Sequence, residues 1–160
     1  MIHALLLAAA VATPVQSALP AIPIGGAFVR SGAVFNAAGL ARLASVTVRA
    51  IDHDGSTGEY RGARLADIVH AAGAPVGGAV RGKAARAFVS VSAADGYSAI
   101  FALAELQTKA ERCAPILAAM RDGRRLARDV GPLRIVAPCD FTHARWVRGV
   151  TKLTLIVNPK

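Results

Sequence analysis

Acidic side chains are scarce: 10 Asp and Glu face 19 Lys and Arg in 160 residues, for a formal net charge of +9. Aromatics are scarcer, at 5% with one Trp and two Tyr. With so few stacking groups and no recognition-helix signature, nucleic acid is a poor candidate for the anion this charge would attract. No Gly-x-Ser-x-Gly elbow and no recognisable Ser, His and Asp set occurs, which leaves nucleophilic catalysis without support. Walker, dinucleotide-binding and zinc spacings are absent too. So are internal repeats, heptads and low-complexity tracts. Charged residues make up only 18% of the chain and hydrophobic ones 54%, which excludes disorder and suits one domain with a real core.

Cysteine occurs twice, at Cys113 and Cys139. Two cysteines are compatible with one disulfide in an exported protein or with two buried thiols packed as small hydrophobes. Residues 1–18 combine an apolar run, a break at Pro14 and small residues up to Ser17 and Ala18. That pattern matches a secretory signal cleaved after Ser17 or Ala18, although the n-region carries no Lys or Arg. The run is shorter than the ~20 residues that span a bilayer. The expected division is therefore a signal peptide over 1–18, a lead-in with a short helix over 19–45, and the main domain over 46–160. The expected location is periplasmic or secreted, with no transmembrane segment after cleavage. A buried first element of a cytosolic domain is the other reading.

What is present is uneven. Residues 1–80 hold five basic and four acidic residues, whereas 81–160 hold fourteen and six. An anion should be met by the second half. Asn36 is placed to cap a short helix carrying Leu40 and Leu43. Val46–Ile51 alternates as a strand, and Asp54-Gly55 marks a turn. Leu65, Ile68, Val69 and Ala72 have helical spacing, stopped by Gly73. Phe88–Val91 and Tyr97–Ala102 read as strands around an Asp95-Gly96 turn. Ile116–Met120 is ambiguous by pattern, but Asp122-Gly123 favours a hairpin. Leu133–Val136 and Leu153–Val157 are strands. Many short strands with a few short helices give an α+β class.

Two apolar segments near the end carry isolated arginines: Arg134 in one, Arg145 and Arg148 flanking Trp146-Val147 in the other. A guanidinium is suited to forked recognition of phosphate, so these three are the leading anion ligands; otherwise Arg134 and Arg148 are outward residues of half-buried strands. Tyr97 and Ser98 follow the Asp95-Gly96 turn and would line the same pocket. His143 lies two residues before Arg145 and, on a strand, would share its face. Trp146 reads as core. Asp52-His53-Asp54 with Glu59 does not match a calcium loop and reads as a solvated turn. Cys139 follows Pro138 at a strand end near basic residues, a place for a lowered thiol pKa. Lys109, Arg112 and the Arg121–Arg128 stretch form a basic face, either solvated or facing an acidic partner or anionic lipid.

Several segments in order resemble one family. They are Tyr60-Arg61-Gly62-Ala63-Arg64-Leu65-Ala66-Asp67-Ile68 with Ala71-Ala72-Gly73, then Val91-Ser92-Ala93-Ala94-Asp95-Gly96-Tyr97-Ser98 with Leu103-Ala104-Glu105-Leu106. Next come Ile116-Leu117-Ala118 with Asp122-Gly123 and Leu126, Gly131 to Pro138, and Arg145-Trp146-Val147. From Val46 to Val157 they resemble the oxidoreductase molybdopterin-binding domain, which has the sulfite-oxidase-type fold. The resemblance implies mixed β-sheets of short strands with a few short helices, and molybdopterin as cofactor. It implies a role for Arg145 facing the pterin phosphate. In catalytic members a cysteine thiolate at the end of a strand, just before the aromatic-x-Gly element, binds the molybdenum. Here Val48 to Gly55 holds no cysteine, and neither Cys113 nor Cys139 matches that position.

Three roles follow from the resemblance. The first is a degenerate or accessory binder of pterin or another small anion, exported, with no metal ligand set. The second is an active molybdopterin-dependent oxidoreductase doing oxygen-atom transfer on a small oxyanion, with Cys139 or His53 completing the metal. The third is a non-catalytic domain docking a protein partner through the Arg121–Arg128 face.

Overall fold

The computed structural model describes residues 19–107 and 110–159. Residues 1–18, where a signal peptide is expected, and Lys109 lie outside them. In chain order the elements are β1 (Ile22–Gly26), β2 (Val34–Phe35), α1 (Ala37–Arg42), β3 (Ser45–Ile51), β4 (Thr57–Arg64), α2 (Leu65–Ala71), β5 (Ala87–Ala93), β6 (Ser98–Ala102), β7 (Ile116–Arg121), β8 (Arg124–Arg125), β9 (Arg134–Val136) and β10 (Val150–Val157), with single 3-10 turns between some of them. Among the described residues no helix is long and apolar enough to cross a membrane.

Two sheets form. The first runs β2-β1-β10-β5-β6 and the second β3-β4-β7-β8, with β9 pairing β7 beside β8. Neighbouring strands are antiparallel except β1 and β10, which are parallel in the register Ile24 to Leu153. The lead-in is thus a structural strand of the first sheet. The alternation of β5 turns Ala87, Val89, Val91 and Ala93 inward, as period-2 patterning requires. Inward residues of both sheets and of α2 join one hydrophobic core.

Local chemistry explains the elements. Asn36 caps α1 by accepting from the Gly39 N–H at 2.9 Å. The α2 helix ends where Gly73 adopts a φ of 119° and its N–H reaches His70 O at 2.8 Å, a conformation glycine tolerates best. In β7, Ile116, Leu117, Ala118 and Ala119 are all buried, so the strand has two covered faces. That is why its apolar run carried no period of its own. Its hairpin to β8 turns through Asp122 and Gly123, both at positive φ.

Two expectations need correction. His143–Arg145 is a 3-10 turn, so His143 and Arg145 do not share a strand face. Asp52 is not solvated: it is 4% exposed, at the head of a turn whose central residues are His53 and Asp54.

Candidate functional site

The site starts at the end of β3. The chain leaves that strand through a tight loop in which Asp52 N–H donates to Ser56 O at 2.8 Å and Gly55 N–H to Asp52 O at 2.9 Å. Asp54 braces the loop by accepting from the Ser56 N–H at 2.9 Å and the Ser56 hydroxyl at 2.6 Å. This holds the Asp52 carboxylate inward, toward β4, β7 and β9.

The carboxylate is fully engaged. Oδ2 accepts from Tyr60 Oη at 2.7 Å, Arg134 Nη1 at 2.8 Å and Arg121 Nη1 at 3.3 Å. Oδ1 accepts from Arg134 Nη2 at 2.8 Å and from the His53 N–H at 2.8 Å. Arg134 and Asp52 are therefore a forked, bidentate pair. The Arg134 side chain is among the most buried in the chain, 2% exposed, because all three residues of β9 face the interior. Its guanidinium also lies 5.0 Å from the Trp146 ring centroid and 5.8 Å from that of Tyr60. The expectation of an outward strand residue is wrong for Arg134.

Electrostatics follow from the geometry. The Arg134 guanidinium, helped by Tyr60 and His53, holds the Asp52 carboxyl well below the usual carboxylate range, against the opposing effect of burial. Burial, then the Asp52 bond and its charge, push the Tyr60 phenol up from 10.0 to about 12. The bond from Tyr60 to Asp52 is complete below pH 10 and is lost as pH rises through about 12, since the folded state holds that proton more tightly than the unfolded chain. A near-ultraviolet phenolate titration should show one late step, and Tyr60→Phe should remove it.

His53 is oriented by the same carboxylate, with Nδ1 3.0 Å from Asp52 Oδ1. Asp52, ionised, can only accept, so the neutral ring carries its proton on Nδ1 and offers Nε2 as acceptor. Arg148 Nη2 lies against the same ring, 3.0 Å from Nδ1 and 3.2 Å from Nε2. His143 reaches the same strand end from the other side, donating from Nε2 to Ile51 O at 2.8 Å. Its ring meets Trp146 edge-on at 4.6 Å.

Two clefts meet at this point. The larger, about 690 Å³, is lined by Asp52, His53, Arg121, Arg124, Arg134 and Arg148 among others. The smaller, about 280 Å³, is lined by His53, Tyr97, Arg134, His143, Trp146 and Arg148 with Asp95. His53, Arg134 and Arg148 belong to both. Arg121 is held by Asp52 and by Ser56 Oγ at 2.6 Å, while Arg124 is exposed on β8.

The other expected ligands are placed differently. Arg145 is gripped by Asp140, through Nε at 2.8 Å, and by Glu105, through Nη1 at 2.5 Å. Asp140 and then Glu105 hold its proton more firmly than usual, and its guanidinium lies over Phe101 at 4.5 Å. It lines neither cleft. Tyr97 borders the smaller cleft, its hydroxyl donating to Ala144 O at 2.5 Å. Ser98 is exposed at the start of β6. Cys139 carries no thiol: it is joined to Cys113, with Cα atoms 5.0 Å apart. Sequence reasoning also misplaced Asp52, and Tyr60 entered only as part of a motif. Their one signal was a lone Asp directly after an alternating strand.

Molybdenum held by a thiolate does not fit these residues. Both cysteines are taken by the disulfide, and the end of β3 offers Ala50, Ile51 and an Asp52 whose oxygens are all occupied. Among the described residues no group of three or more His, Cys, Asp or Glu is set to hold a metal. A pterin phosphate is a different matter, because the larger cleft presents Arg148 and Arg124.

Comparison with known proteins bears on most of the chain. The family model described as "Oxidoreductase molybdopterin binding domain" matches residues 31–160. No curated protein matches. Among solved structures, the sulfane dehydrogenase SoxCD from Paracoccus pantotrophus is similar, with a TM-score of 0.64 and 19% identity over 84% of this chain. This chain spans only 37% of that one. The likeness gives the fold, mixed sheets of short strands with few helices in the sulfite-oxidase-type arrangement. With its motifs in family order and 130 consecutive positions matched, the chain belongs to the oxidoreductase molybdopterin binding domain family.

Proposed function

We propose that this chain is an accessory member of the family that does not ligate molybdenum and binds a small anion, a pterin phosphate or another oxyanion, at the His53–Arg148 junction. The observation that carries the reading is the Asp52–Arg134 pair. Family resemblance puts a metal-binding thiolate at the end of β3, and here a carboxylate closed by a buried guanidinium takes that position. An ion pair so enclosed has no open oxygen to give a metal. The charge that remains available for an anion belongs to Arg148 and Arg124, and charge-assisted bonds from guanidinium to oxyanion are short and strong. The disulfide supports export, since such bonds persist in oxidising compartments.

The test is molybdenum and pterin analysis of protein purified from a host that makes the cofactor. Molybdenum should be far below one atom per chain. One atom per chain would overturn the reading and restore the alternative, an oxygen-atom-transfer enzyme with His53 at the metal. In the same preparation, Arg148→Ala should weaken inorganic phosphate binding about tenfold, the loss of one charge-assisted bond. Unchanged binding would remove the His53–Arg148 junction as the anion site.

A further inference from the structure

The wall of the smaller cleft is held by a turn that the disulfide pins at its centre. Residues Ala137 to Asp140 form a tight turn closed by the Asp140 N–H donating to Ala137 O at 3.1 Å, with Pro138 at the position it favours. Each end of the turn grips one residue of the segment beyond it. Ala137 O accepts from Trp146 Nε1 at 2.9 Å. The Asp140 carboxylate accepts from Arg145 Nε at 2.8 Å and Nη2 at 2.5 Å. Cys139 sits between these two anchors, bonded to Cys113. Trp146, held from Ala137, covers Arg134 and packs on His143.

The crosslink is not what holds its own strands together. β7 and β9 pair Ile116 with Val136, Leu117 with Ile135 and Ala118 with Arg134. Continued outward, that register sets residue 113 opposite residue 139. The disulfide therefore lies beyond the end of a ladder that backbone bonds already secure, and it ties the Ala137–Asp140 turn to the 3-10 turn Glu111–Cys113. It is also reachable, with Cys139 exposed and Cys113 half-buried. Arg112 is exposed beside Cys113, and a neighbouring cation favours a departing thiolate.

The geometry points to Cys113–Cys139 as an exchange site for an external dithiol, whose redox state sets where Trp146 and His143 stand in the cleft wall. A thiolate of the dithiol attacks Cys139 Sγ, forming a mixed disulfide and releasing Cys113 as a thiolate that takes up a proton. The second thiol of the reductant attacks its own sulfur in that mixed disulfide. This frees Cys139 as a thiolate, which is protonated in turn, and leaves the reductant as a disulfide. Two electrons pass from the dithiol to the protein. With Cys139 released, the turn loses its pin while both sheets keep their pairing.

Trp146 is the only tryptophan, so its emission reports this segment alone. Full-chain protein treated with dithiothreitol under native conditions should be reduced completely with its far-ultraviolet circular dichroism unchanged. The Trp146 emission should shift to the red and the His143 ring resonances should move. The Cys113→Ser, Cys139→Ser double variant should show the reduced spectrum and no response to dithiothreitol. Resistance to reduction until denaturant is added overturns the proposal, as does reduction that leaves Trp146 and His143 unmoved. Loss of the circular dichroism on reduction overturns it too, because the bond would then be a structural staple. Inorganic phosphate affinity should differ about fivefold between the two states, a coupling of ordinary size. Phosphate binding absent from both states, with the Trp146 shift present, would remove the anion reading and keep this one.

Discussion

Asp52→Asn is expected to destabilise the protein by about 3–5 kcal/mol, the cost of leaving a buried charge without its partner. Arg134 is that charge: its two terminal nitrogens both donate to Asp52 at 2.8 Å, and with 2% exposure it cannot reach water instead. Out of a total stability of about 5–15 kcal/mol, such a loss is read directly in chemical denaturation. Removing the whole network should cost much less. Asp52→Leu, Tyr60→Phe and Arg134→Met together leave no orphaned donor among the three and should recover most of the stability, because apolar groups of similar volume often replace a buried pair without loss. If the single variant were as stable as the parent, the pair would not be the closed, desolvated unit described above.

The same pair sets an acid limit. The folded-state pKa of Asp52 is depressed, mainly by Arg134, so its contribution is present above the unfolded value near about 4 and lost as pH falls below it. Below that pH the parent should lose about 1.4 kcal/mol per pH unit more than Asp52→Asn does, the slope of one linked proton. Parallel slopes for the two proteins would contradict the assignment.

Gly62→Ala is the second large effect. Gly62 is in β4 at the point where the β4–β7 register shifts between Arg61 and Gly62. A Cβ built there would lie 2.0 Å from Leu117 O and 2.7 Å from Ala118 Cα, both main-chain atoms of β7. Backbone cannot rotate away as a side-chain tip can, so the two strands must separate. Since β7 also carries β9, the displacement passes to Arg134. The expected loss is above ~3 kcal/mol, beyond ordinary overpacking. Gly78→Ala is the control: nothing lies within 4 Å of its added Cβ, and its stability should change by less than about 0.5 kcal/mol. Equal losses at the two sites would show that the close approach of β4 to β7 is not what requires glycine.

The elements that sequence made legible are those whose signals are local. The Asn36 cap, the Asp95-Gly96 and Asp122-Gly123 turns and the period of β3 each sit within a few residues of what they specify. β4 was missed: its Gly58 and Gly62 interrupt any alternating apolar pattern, yet those glycines are what let neighbours pack close. For the site, the sequence reading treats the charge of the arginines near the chain's end as available, and the structure engages Arg134 and Arg145 with carboxylates. Whether a guanidinium faces a ligand or a carboxylate depends on a partner 82 positions away for Arg134 and on the Asp140 and Glu105 pair for Arg145. No spacing pattern encodes such pairing. The disulfide was equally hidden, because residues 113 and 139 become neighbours only through the β7–β9 register.

The parallel contact between β1 and β10 has a bearing on biosynthesis. β10 is the middle strand of the first sheet, flanked by β1 and β5, yet it follows both of them in the chain. Until it is made the β2-β1 pair and the β5-β6 hairpin have nothing to join them, and long-range pairings of this kind form slowly. The first sheet therefore stays open until β10 has been made, whereas the second sheet, built from β3, β4, β7, β8 and β9, does not wait for it.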